Sequence, residues 1–204
     1  MSNLPSPVME HLRAASLKSS AKTFKSVVFS DPDSNAFTEV WAARIYSYLY
    51  SALGPFGTEP LSTILPMPSG MHMSGATASF DMQSGQMTLC PSVEGNQGQI
   101  LEKITHEMVH GSYSQFPSND EFYDEGFVDY STWLLAHGPI YMDYRQQVID
   151  SAAYNIKMRR ERAMKNLSDY DRKRWAGGVF ANVCLGPMLL HRMRMKKAEG
   201  DFTW

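Results

Sequence analysis

The sequence HEMVH (residues 106–110) contains the residue types and the spacing that a catalytic metal site needs. Positions four residues apart lie on the same face of a helix, so both imidazoles could bind one Zn²⁺ ion. Glu107 would lie beside the ion, where it could take a proton from a zinc-bound water and pass it to a leaving amine. The pattern therefore predicts His106 and His110 as metal ligands and Glu107 as a catalytic residue.

A polar helix face with two solvated histidines is the alternative interpretation of these five residues. The residues around the motif are largely apolar, which favours a buried helix. Unpaired histidines are costly in an apolar interior, and metal ligation would give both of them a partner. The apolar positions are Ile100, Leu101, Ile104, Met108 and Val109.

The next predicted helix carries three carboxylates at intervals of four residues, namely Glu121, Glu125 and Asp129. Catalytic zinc sites usually have three protein ligands and one open position. Glu121 fits a capping box that begins at Ser118, so Glu125, one turn further along, is the candidate third ligand. A solvated acidic stripe is the alternative, but large apolar neighbours such as Trp133 disfavour it.

The HEMVH sequence followed by DEGFVDY resembles the gluzincin branch of zinc metallopeptidases, which includes the single-domain minigluzincins and the peptidase-MA-like proteins. The resemblance covers about 30 residues directly. It implies one zinc ion per chain, bound by His106, His110 and Glu125, with Glu107 as the general base and acid. It also implies that Asp129 orients His106 by accepting the other ring N–H.

The chain departs from the larger gluzincins in two respects. Only fourteen residues separate His110 from Glu125, fewer than in thermolysin or the large aminopeptidases. The glycine-rich aminopeptidase signature that ends in Met-Glu-Asn is absent, which favours an endopeptidase. Gluzincins also bind extended substrate on an edge strand before the motif, and the candidate for that strand is GQMTLCP (residues 85–91).

The resemblance further implies a hydrogen-bond donor for the developing oxyanion, which gluzincins supply as a histidine or tyrosine from a later helix. His191 lies 66 residues after Glu125 and is the first candidate. An exposed histidine in a basic C-terminal sequence is the alternative interpretation of His191. Trp175, Tyr170 and Tyr154 are the other candidate donors.

The rest of the chain predicts an α+β fold of zincin-like type, with a small antiparallel β-layer followed by a mostly helical C-terminal half. A β-hairpin is predicted from two runs, 72–80 and 86–90, around a turn at 83–85. Residues 55–70 are compatible with a loop or a short strand. The predicted helices span 8–24, 34–53 (capped by Ser34 or Asn35), 97–111, 119–138, 141–167 and 173–197.

The length of 204 residues predicts a single domain, with N-terminal helices and a hairpin in 1–95 and the metal-binding helical half in 96–204. The net charge of −2 disfavours nucleic acid or an anionic membrane as partner. The two cysteines, Cys90 and Cys184, cannot form a disulfide framework and favour a reducing compartment such as the cytoplasm. No secretory signal and no membrane-spanning segment are apparent in the sequence.

Three functions are compatible with these residues, with a peptide or protein as the partner and no indication of the oligomeric state. The first is a zinc metallopeptidase. The second is a catalytically inactive, zinc-stabilised peptide-binding or structural module of the same fold, against which Glu107 argues because a structural site needs no base. The third is a hydrolase of another amide. Peptide deformylase combines HExxH with a cysteine ligand, but its characteristic sequence is absent around Cys90.

Overall fold

A computed structural model of the chain describes residues 22–72, 76–112 and 121–166. Within these ranges, short strands alternate with helices in the first half and long helices make up the second. This order confirms the predicted α+β class. The elements are β1 (Lys25–Ser26), α1 (Pro32–Leu53), β2 (Thr63–Pro66), α2 (Ser69–His72), β3 (Ala78–Phe80), β4 (Met87–Leu89), α3 (Gln97–Ser112), α4 (Glu121–Leu135) and α5 (Arg145–Asn166), with 3-10 turns at Pro91–Val93 and Pro139–Tyr141.

The four strands form one mixed sheet in the order β1-β2-β4-β3. Strand β2 is parallel to both β1 and β4, and only β3 and β4 are antiparallel. The prediction of an antiparallel layer is therefore wrong for two of the three pairings. Helix α1 separates β1 from β2, while α2 and β3 separate β2 from β4. Such crossovers let the next strand run in the same direction.

The predicted hairpin is present as β3 and β4, joined by a turn in which Gly85 adopts a φ of 76°. Its first strand is shorter than the predicted run 72–80, because β3 begins at Ala78 and His72 belongs to α2. The prediction that residues 85–91 form the edge strand is wrong, because β4 lies between β2 and β3. Its backbone groups are already paired on both sides. Strand β3 occupies that edge of the sheet instead.

Helix α1 begins at Pro32, two residues earlier than predicted, and Asp31 caps it in place of Ser34 or Asn35. The Asp31 carboxylate accepts the backbone N–H groups of Asp33 and Ser34. An acidic cap and a proline in the first turn are both favourable at a helix N-terminus. The helix ends at Leu53, before Gly54, as predicted. Its buried face includes Trp41, Ile45, Tyr48 and Leu49, whereas Val40 is exposed.

The later helices follow the predicted boundaries within a few residues. Helix α3 begins at Gln97 as expected, α4 ends shortly before Gly138, and α5 lies within the predicted 141–167. The segment 55–70 contains a short strand, β2. The predicted helix 173–197, most of the predicted helix 8–24 and the start of the predicted capping box lie outside the described residues.

Helix α3 lies at the centre of the described fold, where it contacts α1, α4, α5 and β3. A connected apolar core joins residues of all these elements. Among the described helices, none has both the length and the apolar character required to cross a bilayer. The largest fully buried side chains of the described residues are Tyr48, Tyr141, Ile45, Leu49, Ile64, Met87, Leu89, Ile100, Leu101, Ile104, Met108 and Leu134.

Replacement of Gly138 by alanine should destabilise the fold. A Cβ atom at this position would lie against Tyr48 Oη and 2.6 Å from Tyr48 Cζ. Tyr48 is fully buried and its hydroxyl donates to the Leu135 carbonyl, so the ring has no room to move. We expect Gly138→Ala to lower the free energy of unfolding by about 1–3 kcal/mol in urea denaturation.

Gly70→Ala is the matched control, because no heavy atom lies within 4 Å of a Cβ at that position. Its free energy of unfolding should stay within about 0.5 kcal/mol of the wild-type value. Equal stability of the two variants would contradict the packing of Tyr48 against Gly138.

Candidate metal centre

Two adjacent helices supply the predicted site residues. Helix α3 carries His106, Glu107 and His110, and helix α4 carries Glu125 and Asp129. Apolar residues on several sides of α3 bury it in the core and hold its polar residues against α4. The structure therefore brings together all five residues that the motif and the resemblance identified.

The histidine and glutamate side chains converge on one point. His106 Nε2 lies 3.3 Å from Glu125 Oε2, and His110 Nε2 lies 3.4 Å from Glu125 Oε1. One ligand atom from each residue lies within 4.8 Å of the others. Charge-assisted hydrogen bonds are shorter, about 2.7–2.9 Å. Ligand atoms around a tetrahedral zinc ion, with bonds of about 2.1 Å, lie about 3.4 Å apart. The three residues form a group that could hold a metal ion.

Asp129 contacts the opposite nitrogen of the His106 ring. Its Oδ1 atom lies 3.1 Å from His106 Nδ1, and the residue is only 2% exposed. A metal-ligating histidine usually directs its second ring nitrogen to a carboxylate or a carbonyl group, which fixes the tautomer and the ring orientation. The contact leaves Nε2 of His106 directed toward Glu125.

The charges within this group oppose the effect of burial. Burial acts to lower the pKa of His106, but the adjacent carboxylates of Asp129 and Glu125 outweigh it and raise that pKa to about 10. Burial acts to raise the pKa of Glu125, but contacts with His106 and His110 hold that pKa well below its usual range. These directions favour an ionised Glu125 and a protonated His106, so a metal ion that binds at His106 would release a proton.

Glu107 is 5% exposed and lies beside the ligand group without belonging to it. Burial raises the pKa of its carboxyl group, while the nearby His106 and His110 act in the opposite direction. A carboxyl group whose pKa is raised toward neutrality can both accept and return a proton. This is the chemistry predicted for Glu107 from its position in the HEMVH sequence.

Two polar contacts next to the site were not predicted. The Thr105 hydroxyl lies 2.6 Å from the Tyr141 hydroxyl in the buried interior, which ties α3 to the turn after α4. Their separation of 36 residues leaves no local signal in the sequence. The second contact is the pair Glu102–Lys103, one turn before His106 and Glu107. The sequence does contain a signal for this pair, because Glu102 and Lys103 lie four residues before His106 and Glu107 and therefore on the same faces of the helix.

Only one of the four candidate oxyanion donors, Tyr154, lies within the described residues. His191, Trp175 and Tyr170 lie outside the described residues. Tyr154 belongs to α5 and is 60% exposed, which does not favour a role that depends on excluding water. Cys90 is buried beside Ser92 and is not part of the ligand group.

Comparison with protein-family models, curated proteins and solved structures finds no match to this chain. The resemblance to gluzincins therefore rests on the motif residues of the sequence alone.

Removal of the Glu125 carboxylate should abolish or greatly weaken metal binding, because this side chain contacts both histidines. We expect about one zinc ion per wild-type chain by elemental analysis after zinc loading and dialysis, and much less in Glu125→Ala. Glu161→Ala, which removes a half-exposed carboxylate from α5, is the control and should keep its zinc. Absence of metal from the wild type, even after zinc addition, would mean that the HEMVH residues have a structural role and do not bind metal.

Replacement of Asp129 by asparagine should weaken zinc binding without removing a ligand. Loss of the charge beside His106 Nδ1 is expected to lower zinc affinity about 10- to 100-fold, measured by competition with a chelating dye. Asp150→Asn, an exposed change on α5, is the matched control. Equal zinc affinity in the two variants would rule out an orienting role for Asp129.

Proposed function

We propose that the protein is a zinc-dependent metallopeptidase that hydrolyses peptide bonds with a metal-activated water. The observation that carries the proposal is the convergence of His106, His110 and Glu125 on one point, with Glu107 buried beside them. Two imidazoles and one carboxylate are the ligand set of many catalytic zinc sites, in which the fourth position stays open for water or substrate.

The donor set favours zinc over magnesium and calcium. Magnesium and calcium prefer oxygen ligands, whereas imidazole suits zinc and other late first-row metals. The separations of 3.3 and 3.4 Å between the imidazole nitrogens and the Glu125 oxygens are compatible with tetrahedral zinc. When bound, zinc supplies a Lewis acid that polarises a carbonyl group and lowers the pKa of water.

The side chains of the site have separate roles in the proposed reaction. Glu107 takes a proton from the attacking water and delivers it to the amine that leaves, and its raised pKa suits a group that holds the proton between these steps. His106 is oriented by Asp129. Glu125 remains ionised and compensates the positive charge of the bound metal ion.

Strand β3 is the surface that best fits an extended substrate. It is one of the two edge strands of the described sheet, and it contacts α3. A Cβ atom at Gly111, the residue after His110, would lie 2.9 Å from Phe80 Cζ, so the end of β3 approaches the metal-binding turn closely. A peptide added to this edge by main-chain hydrogen bonds needs no free chain end, which fits an endopeptidase.

The Glu107→Gln variant should lose peptide hydrolysis and keep both its fold and its zinc. Glutamine has nearly the same shape as glutamate but cannot accept the proton, so we expect a loss of at least about 100-fold in kcat. The measurement is cleavage of unfolded casein and of internally quenched peptides by zinc-loaded protein, with zinc content and thermal stability recorded on the same samples.

Glu94→Gln is the matched control, because Glu94 is an exposed carboxylate that contacts Ser30 and Asp31. Full proteolytic activity in Glu107→Gln would refute the mechanism. Zinc binding without cleavage of any peptide by the wild type would favour an inactive peptide-binding module. Cleavage of small amides alone would favour a hydrolase of another amide.

A further inference from the structure

The metal-binding helix is buried except along one narrow stripe. From Ile100 to Ser112, every residue of α3 is buried apart from Lys103 and His110. Lys103, Glu107 and His110 are spaced four and three residues apart, so they share one face of the helix. The exposed part of Lys103 therefore faces the same side as the proposed reaction centre, one turn before Glu107.

The Lys103 ammonium group is held in place by a buried partner. Its Nζ atom lies 3.0 Å from Glu102 Oε2, and the two side chains are 15% and 0% exposed, respectively. The same Glu102 oxygen lies 3.4 Å from Ser151 Oγ on α5. An ammonium group has three N–H donors, so the contact with Glu102 fixes its position and leaves donors for another acceptor.

We propose that Lys103 binds a carboxylate of the substrate close to the bond that is cleaved. This inference rests on the proposed peptidase function and assigns a specificity to the same site. Four residues of helix rise by about 6 Å, while an extended peptide rises by about 3.3 Å per residue. The carboxylate therefore belongs to a residue within about two positions of the cleaved bond.

Two sources of this carboxylate are chemically equivalent at Lys103, namely an aspartate or glutamate side chain and the C-terminus of a short peptide. Internally quenched peptides with one central cleavable bond distinguish them. One series carries Glu or Gln at each of the two positions on either side of that bond. A second series carries a free or an amidated C-terminus at the same distance.

We expect zinc-loaded wild-type protein to favour the carboxylate-bearing member of at least one pair about tenfold or more in kcat/KM, as a charge-assisted hydrogen bond would give. The series in which this preference occurs identifies the source. The ratio of kcat/KM between the two members of that pair is then measured in two variants of the protein. Two variants are needed because loss of Lys103 alone would leave Glu102 buried without its partner.

The Glu102→Gln variant keeps the ammonium group and should keep the preference, whereas the double variant Glu102→Gln/Lys103→Gln should lose it. Both variants contain the same change at position 102, so their difference reports on Lys103. Cleavage by the wild type without preference, or an unchanged preference in the double variant, would overturn the inference and leave the proposed peptidase function intact.

Absence of any cleavage would instead refute the peptidase proposal, and binding would then decide the inference. Fluorescence anisotropy of the same peptides with zinc-loaded protein measures affinity without chemistry. An affinity about tenfold higher for the carboxylate member, lost in the double variant, would support a carboxylate site at Lys103. Equal affinities for both members would overturn it.

Discussion

The contact on which the rest of the structure depends is the placement of the His106 ring between two carboxylates. Glu125 lies on one side of the imidazole and Asp129 on the other, 3.3 and 3.1 Å from its two nitrogens. Asp129 is almost completely buried, and a buried charge without a partner is strongly destabilising. A shift of α4 by one turn along α3 would separate Asp129 from His106 and leave the buried charge of Asp129 without this partner. The contact therefore fixes the register of the two helices that form the site.

The helix that carries His106, α3, also lies at the centre of the described fold. Its other sides are packed by α1, α5 and β3, and the Thr105–Tyr141 hydroxyl contact anchors the turn after α4 to the same helix. Between Ile100 and Ser112, only Lys103 and His110 are partly exposed to solvent. A polar site at the surface of a rigid core is held within small tolerances, as binding and catalysis both require.

Local sequence patterns predicted the site better than they predicted the sheet. His106, Glu107 and His110 share one helix, and Glu125 and Asp129 share the next, so the helical period grouped the residues within each helix. The resemblance to gluzincins supplied the expectation that the two groups meet. The sheet depends on contacts between distant residues, such as the pairing of Lys25 with Thr63 and of Ile64 with Met87. Strands of two to four residues carry too little pattern to reveal the direction of a partner. The position of β4 inside the sheet was missed for that reason.

The burial of Glu107 argues for chemistry over a purely structural metal site. Three side chains already form a group that could hold an ion, and Glu107 is not one of them. A structural metal site would therefore not need this additional buried carboxylate. Burial raises the pKa of that carboxyl group, which means that the protein loses stability by keeping it ionised there. An apolar residue of similar volume would avoid this cost. Local costs of this kind are typical of functional positions, which supports the proposed role of Glu107 as a proton acceptor.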